Sequence, residues 1–179
     1  MAIIKTQADG LNLADDFTFT GKLSGQNYPA FEAYLSGNQT VTDAVTTLIQ
    51  FDTEIFDTDN AFNNTATGNG YSFTVPTGKD GKYFIFSRLL HYSGAVSNLN
   101  YGETSVYVNG SVIGRASTTF TNNDAFSSSI DCNMILDLSA GDYIQVYGRV
   151  DINSGTAQII AGSGARILDS AFGAYRIGD

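Results

Sequence analysis

Ser105-Val106-Tyr107-Val108-Asn109-Gly110-Ser111-Val112-Ile113 reads as two β-strands folded back on each other. β-Branched and aromatic residues fill both arms. Asn-Gly between them supplies two consecutive residues tolerant of positive φ, which a two-residue type I′ turn demands. Short strands bounded by turn residues recur on either side. Upstream are Phe31 to Leu35, Thr47 to Ile55, Tyr71 to Pro76 and, after a Gly78/Gly81 turn, Tyr83 to Phe86. Downstream, Met134, Leu136 and Leu138 alternate with Ile135 and Asp137. Ser139-Ala140-Gly141-Asp142 then turns the chain into Tyr143 to Tyr147, and Ala165 to Leu168 and Ala174 to Ile177 close it. Roughly eight to ten strands at this spacing predict a sandwich or jelly roll.

One stretch argues otherwise. Val41, Val45, Leu48 and Ile49 fall at i, i+4, i+7 and i+8, a helical stripe. The same stretch is dense in Thr and Val, whose branched Cβ disfavours helix. The reading is a loop running into a strand.

Residues 1–27 differ from the rest. Ala8-Asp9-Gly10-Leu11-Asn12-Leu13 and Asp15-Asp16-Phe17-Thr18-Phe19-Thr20-Gly21 are short alternating pieces, each with one apolar edge. Such an arm makes no core of its own, and its backbone groups need partners. The expected organisation is therefore a docking arm over residues 1–27, with Leu11, Leu13, Phe17 and Phe19 as its attachment residues, followed by one head domain over 28–179.

The length of 179 residues suits a single domain, and 42% hydrophobic residues suit a folded one. Charged residues are only 15%, against about 25% in an average soluble domain, so Ser, Thr and Asn carry the polar surface. Nine basic residues against eighteen acidic ones leave a net charge of −9, which repels phosphate backbones; nucleic acid is not an expected partner. Cys132 is the one cysteine, so no intrachain disulfide or cysteine metal cluster forms, and a small buried hydrophobe is expected. Met1 to Thr6 lacks the apolar core of a signal peptide, and no apolar run approaches the ~20 residues that span a bilayer. The expectation is a protein made in a cytoplasm, without membrane insertion. There is no heptad, hence no coiled-coil shaft.

Beyond the hairpin, the chain resembles the complement one-q globular head, a member of the tumour-necrosis-factor-like jelly rolls. Phe51, Asp57 and Phe62 follow the spacing that opens the signature of that family. Phe73-Thr74-Val75-Pro76 matches its Phe-Thr-x-Pro run, and Gly81-Lys82-Tyr83-Phe84-Ile85 matches Gly-x-Tyr-x-Phe with Ile85 in place of Phe. Ala30-Phe31-Glu32-Ala33 is similar to the opening strand, and Val108-Asn109-Gly110 to the mid-domain hairpin. Leu136 to Ile144 is similar to the Leu-x-Leu-x-x-Gly-Asp pair, and Phe172-Gly173-Ala174-Tyr175 to the closing strand. The resemblance spans Pro29 to Ile177. It implies an all-β, ten-strand jelly-roll sandwich packing as a homotrimer through an aromatic strip. Extra residues between Phe62 and Phe73 and between Phe73 and Gly81 alter rim loops, so no partner-binding site carries over. The arm separately resembles the leaders of small virion proteins in phages of marine bacteria. That implies a virion surface protein held to other virion proteins by its arm. Without a shaft, a capsid decoration (cement) protein is favoured over a short tail-fibre tip or a receptor- or glycan-binding head.

No residue set points to catalysis. His91 is the one histidine, so any Ser-His-Asp arrangement must use it, and its place after the strand Tyr83 to Leu90 suggests a strand end or rim. Glu32, Glu54 and Glu103 are scattered, and no local pattern pairs carboxylates at the about 5–10 Å separation that glycoside hydrolysis needs. Asp57-Thr58-Asp59-Asn60 lacks the Gly and terminal Glu of a calcium loop. No cofactor is expected; a calcium ion between protomers is compatible with the resemblance but is specified by nothing in the sequence. Gly68-Asn69-Gly70 and Gly162-Ser163-Gly164 are turns outside any strand-to-helix context. The Tyr-rich hairpins have rings that could stack on sugars, though core or interface is the commoner use. The expectation is a non-enzymatic protein.

Overall fold

A computed structural model describes residues 29–94, 97–121, 125–162 and 169–178. The docking arm with Leu11, Leu13, Phe17 and Phe19, and the expected strand Ala165 to Leu168, lie outside the described residues. Among the described residues the chain is all strand and turn: β1 Ala30–Tyr34, β2 Gln39–Thr40, β3 Thr47–Leu48, β4 Thr53–Asp57, β5 Phe62–Asn63, β6 Ser72–Thr74 and β7 Gly81–Tyr92 form the first half. The second half is β8 Leu99–Val108, β9 Ser111–Thr119, β10 Ser127–Asp131, β11 Met134–Leu138, β12 Tyr143–Ile152, β13 Gln158–Ile160 and β14 Ala171–Gly178.

The hairpin forms where the sequence places it. Asn109 and Gly110 adopt φ of 51° and 77° between β8 and β9. Asn109 also donates Nδ2–H to Asp142 Oδ1 at 2.7 Å and accepts the Tyr143 N–H at 3.0 Å, pinning this turn to the Ser139–Asp142 turn.

Two antiparallel sheets result. One runs β2-β13-β7-β14-β1-β4, with β10 and β11 on the other side of β7; the second runs β5-β6-β12-β8-β9, with β3 also on β12. β7 is the spine of the first. β10 and β11 keep one continuous register against it, Ser127 opposite Tyr92 through Leu138 opposite Gly81, and are a single strand interrupted at Cys132 and Asn133. There Asn133 Oδ1 takes the Ser87 N–H in place of a backbone carbonyl. Fourteen segments stand where about ten strands were expected, and β10 with β11 is one expected strand divided.

Thr47 to Ile55, expected as one strand, is two. β3 pairs with β12 in the second sheet, β4 with β1 in the first, and Ile49 and Phe51 are fully buried where the chain crosses between them. The helical stripe is absent: Val45 is exposed while Val41 and Ile49 are buried. Between the sheets, Phe31 stacks on Phe62 and on Phe73, each at 4.8 Å, and meets Phe172 edge-on at 4.9 Å. Offset and edge-on pairs of this kind add about 0.5–1.5 kcal/mol beyond burial. The signature residues Phe51, Phe62, Phe73 and Tyr83 are thus core residues.

Candidate self-association surface

Residues 83, 85, 87, 89 and 91 of β7 are buried between the sheets, so even-numbered residues face outward, as alternation requires. Register carries this face across neighbouring strands. One row reads Ile135, Phe84, Tyr175, Ala30; the next is Phe86, Gly173, Glu32, Phe56. Phe84 lies 5.5 Å from Tyr175 and 6.5 Å from Phe86, centroid to centroid. Ile135 is 60% exposed and Phe56 45%, values unusual for side chains that gain about 1.5–3 kcal/mol on full burial. The Phe86 ring reaches over Gly173, where any Cβ would collide with it, so the glycine is what gives the ring its place.

Beyond these rows the face turns polar. Asp131, Arg88, Ala171 and Tyr34 form the third row, and Glu32, Arg88, Asp131 and Asn133 line a shallow notch where β10 meets β11. Further on it is apolar again, with Leu90 beside Ile160 and Tyr92 edge-on to Phe126 at 5.9 Å.

The outward face of the second sheet is built differently. Glu103, on β8, is 7% exposed although its side chain points away from the core. Tyr101 and Ser105 donate hydroxyls to its two carboxylate oxygens at 2.6 and 2.7 Å, and Arg115 Nε stands 4.0 Å away. Burial pushes this carboxyl up, but the two hydroxyls and the charges of Arg115 and Arg149 outweigh it and hold it below the usual range. The Arg149 guanidinium lies over the Tyr101 ring, 5.3 Å from its centroid, and pairs with Asp151 at 3.6 Å. Tyr107 and Tyr147 lie 4.1 Å apart.

The structure distributes the other sequence candidates without gathering them. His91 is not at a rim: it is fully buried on the core side of β7, with both ring nitrogens at backbone carbonyls. Glu32 and Glu54 belong to the first sheet and Glu103 to the second. Asp57 is occupied as a turn cap, its Oδ2 accepting the Phe62 N–H at 2.7 Å and its Oδ1 the Asp59 N–H at 3.2 Å. Among the described residues no group of three or more His, Cys, Asp or Glu could hold a metal ion. Cys132 is buried, as expected. No helix among the described residues is long and apolar enough to cross a membrane.

Sequence reasoning did not single out Phe84, Phe86, Ile135, Phe56 or Tyr175. The signal was present: Tyr83 to Phe86 and Met134 to Leu136 are apolar on both strand faces, whereas a sheet facing water on one side alternates.

No protein-family model matches the chain, and comparison with curated protein sequences finds no match. Solved structures do match. Murine APRIL at pH 5.0 aligns with a TM-score of 0.57 at 12% identity, over 83% of this chain and 98% of that one. The globular domain of zebrafish complement 1qA aligns at 0.53 and 14%, over 84% and 98%. The Eiger TNF of S. frugiperda aligns at 0.52 and 12%, over 86% and 94%. Element order, sheet composition and these alignments agree: the described residues have the jelly-roll fold of the complement one-q and tumour-necrosis-factor-like proteins.

Proposed function

We propose that this chain is a non-enzymatic structural head that assembles as a homotrimer through the outward face of β7, β14, β1 and β11. The observation that carries this reading is the outward cluster of Ile135, Phe84, Tyr175, Phe86 and Phe56, half-buried to exposed on one protomer and interrupted only by Glu32. Contiguous apolar surface of this kind marks an interaction site, and a second copy is the partner that the sequence resemblance implies. The three-fold arrangement, too, comes from that resemblance.

The role that fits such a head is a virion surface protein, attached to other virion proteins by residues 1–27, with capsid decoration favoured over a short tail-fibre tip. The leader resemblance supports this placement. A second reading, a receptor- or glycan-binding head, draws on the partly exposed Tyr101, Tyr107 and Tyr147 of the other sheet. The deciding measurement is light scattering at micromolar concentration. A mass three times the 19.1 kDa protomer is expected, and a clean monomer overturns the reading.

A further inference from the structure

The chain's single histidine sits where its surroundings make opposed demands. His91 Nδ1 lies 3.1 Å from the carbonyl oxygen of Leu89, on its own strand, and Nε2 lies 2.9 Å from that of Glu103, on β8 in the opposite sheet. The second contact ties the sheets together. The ring packs on the bare backbone of Gly102, where even a Cβ would come within 3.1 Å of it. Two carbonyls can use two N–H donors, and a neutral imidazole has one. The imidazolium has both, but places a charge in an interior that water does not reach.

The backbone carbonyls of Leu89, Glu103 and Ser128 favour the charged ring, but they are dipoles and carry no net charge to balance it. On β8 the Glu103 carboxylate points to the far side of its strand, held by Tyr101, Ser105 and Arg115. On β10 the residue opposite His91 is Ser128, and Asp131 sits opposite the outward-facing Arg88. On β13 the residue opposite is Ile159. Burial accordingly moves the imidazole below its usual value, against the pull of the backbone carbonyls and the Glu103 charge.

We propose that His91 is an acid-sensitive clasp between the two sheets: as a neutral imidazole it donates Nε2–H to Glu103 O, and on taking a proton from acidic solvent at Nδ1 it loosens the seam at this end of the sandwich. The sign follows from linkage. The unfolded chain binds this proton near pH 6.5, more readily than the folded one, so the contribution is complete above that value and declines as pH falls below it, levelling off beneath the folded value. β7 also presents Leu90 and Tyr92 outward, so loosening reaches the apolar face from behind. The clasp is a property of one protomer and stands whether or not the chain self-associates.

Having one histidine makes the test direct, because its ring C–H protons are unambiguous in an NMR titration of the full chain. The ring is expected to titrate below 6.5. In denaturant unfolding, the wild type is expected to lose stability between pH 7.5 and 5 relative to His91→Gln, which keeps one side-chain N–H and does not titrate. Hydrogen exchange on the wild type covers the case in which the variant does not fold: amides of β8 around Glu103 should lose protection at pH 5 before those beside Asn109. A ring titrating at or above 6.5, or protection near Glu103 unchanged at pH 5, overturns the proposal.

Discussion

On the outward side of β7 and β14, Phe84 pairs with both Phe86 and Tyr175, with exposed Ile135 and Phe56 at the flanks. On the outward side of β8 and β12 the charged groups pair within their own sheet: Tyr101, Ser105 and Arg115 converge on Glu103, and Arg149 meets Asp151 and the Tyr101 ring, although its Nε is buried without a hydrogen-bond partner. Both faces are antiparallel sheet, so backbone geometry does not separate them. Side-chain chemistry does. The second face satisfies its charges largely within its own sheet. The first, apart from Glu32, presents apolar side chains that gain by being covered, which is the physical content of the self-association reading.

The sharpest way to break this contrast is to place a charge on each face in turn. Phe84→Lys should disrupt association, because a central aromatic anchor is worth about 2–4 kcal/mol and an uncompensated buried ammonium adds to its loss. Tyr107→Lys on the other face should leave the mass unchanged. Light scattering of both variants, with circular dichroism to confirm folding, makes the comparison. Equal behaviour of the two would remove the distinction between the faces.

Gly173→Ala probes how the first face is assembled. The new methyl group meets the Phe86 ring and the Phe31 backbone, so the ring must leave the sheet. A loss of about 1–3 kcal/mol in stability is expected, typical of an overpacked site, with weaker association beside it. Urea unfolding and sedimentation at matched concentration read the two effects separately.

What the sequence conveyed and what it withheld follow the same division. The resemblance was legible through Phe31, Phe51, Phe62, Phe73 and Phe172 because those rings form the aromatic cluster between the sheets, and an irregular core restricts which residues fill it. The Asn109-Gly110 turn was legible because few residues take positive φ twice in succession. The break in Thr47 to Ile55 was not, since a chain crossing between sheets at Ile49 and Phe51 keeps the apolar content of a strand. Nor was the outward face. Phe84 and Ile135 differ from core residues only in strand parity, and parity becomes meaningful once register fixes which side is inside. His91 was misplaced for a similar reason: β7 runs on to Tyr92, so a residue expected just past the strand end lies within the strand, on its core side.

The smallest expected effect tests whether the second face is as self-sufficient as its hydrogen bonds indicate. Glu103→Gln keeps the size and one acceptor oxygen of the side chain but removes the charge that Tyr101, Ser105 and Arg115 serve. Hydrogen bonds to a charged acceptor contribute about 1.5–3 kcal/mol and neutral ones about 1, so a net loss of about 1–2 kcal/mol at pH 7 is expected. The pH dependence fixes the cause. Glu103 has its folded value held below the ordinary 4.5, so its contribution is present above that value and disappears as pH falls through the folded one. The gap between wild type and Glu103→Gln should therefore narrow as pH falls below about 4.5. Urea midpoints at pH 7 and pH 3 measure it. A gap undiminished at pH 3 would assign the loss to packing; no gap at pH 7 would mean that the carboxylate is not held by its own sheet, leaving those donors free for a ligand.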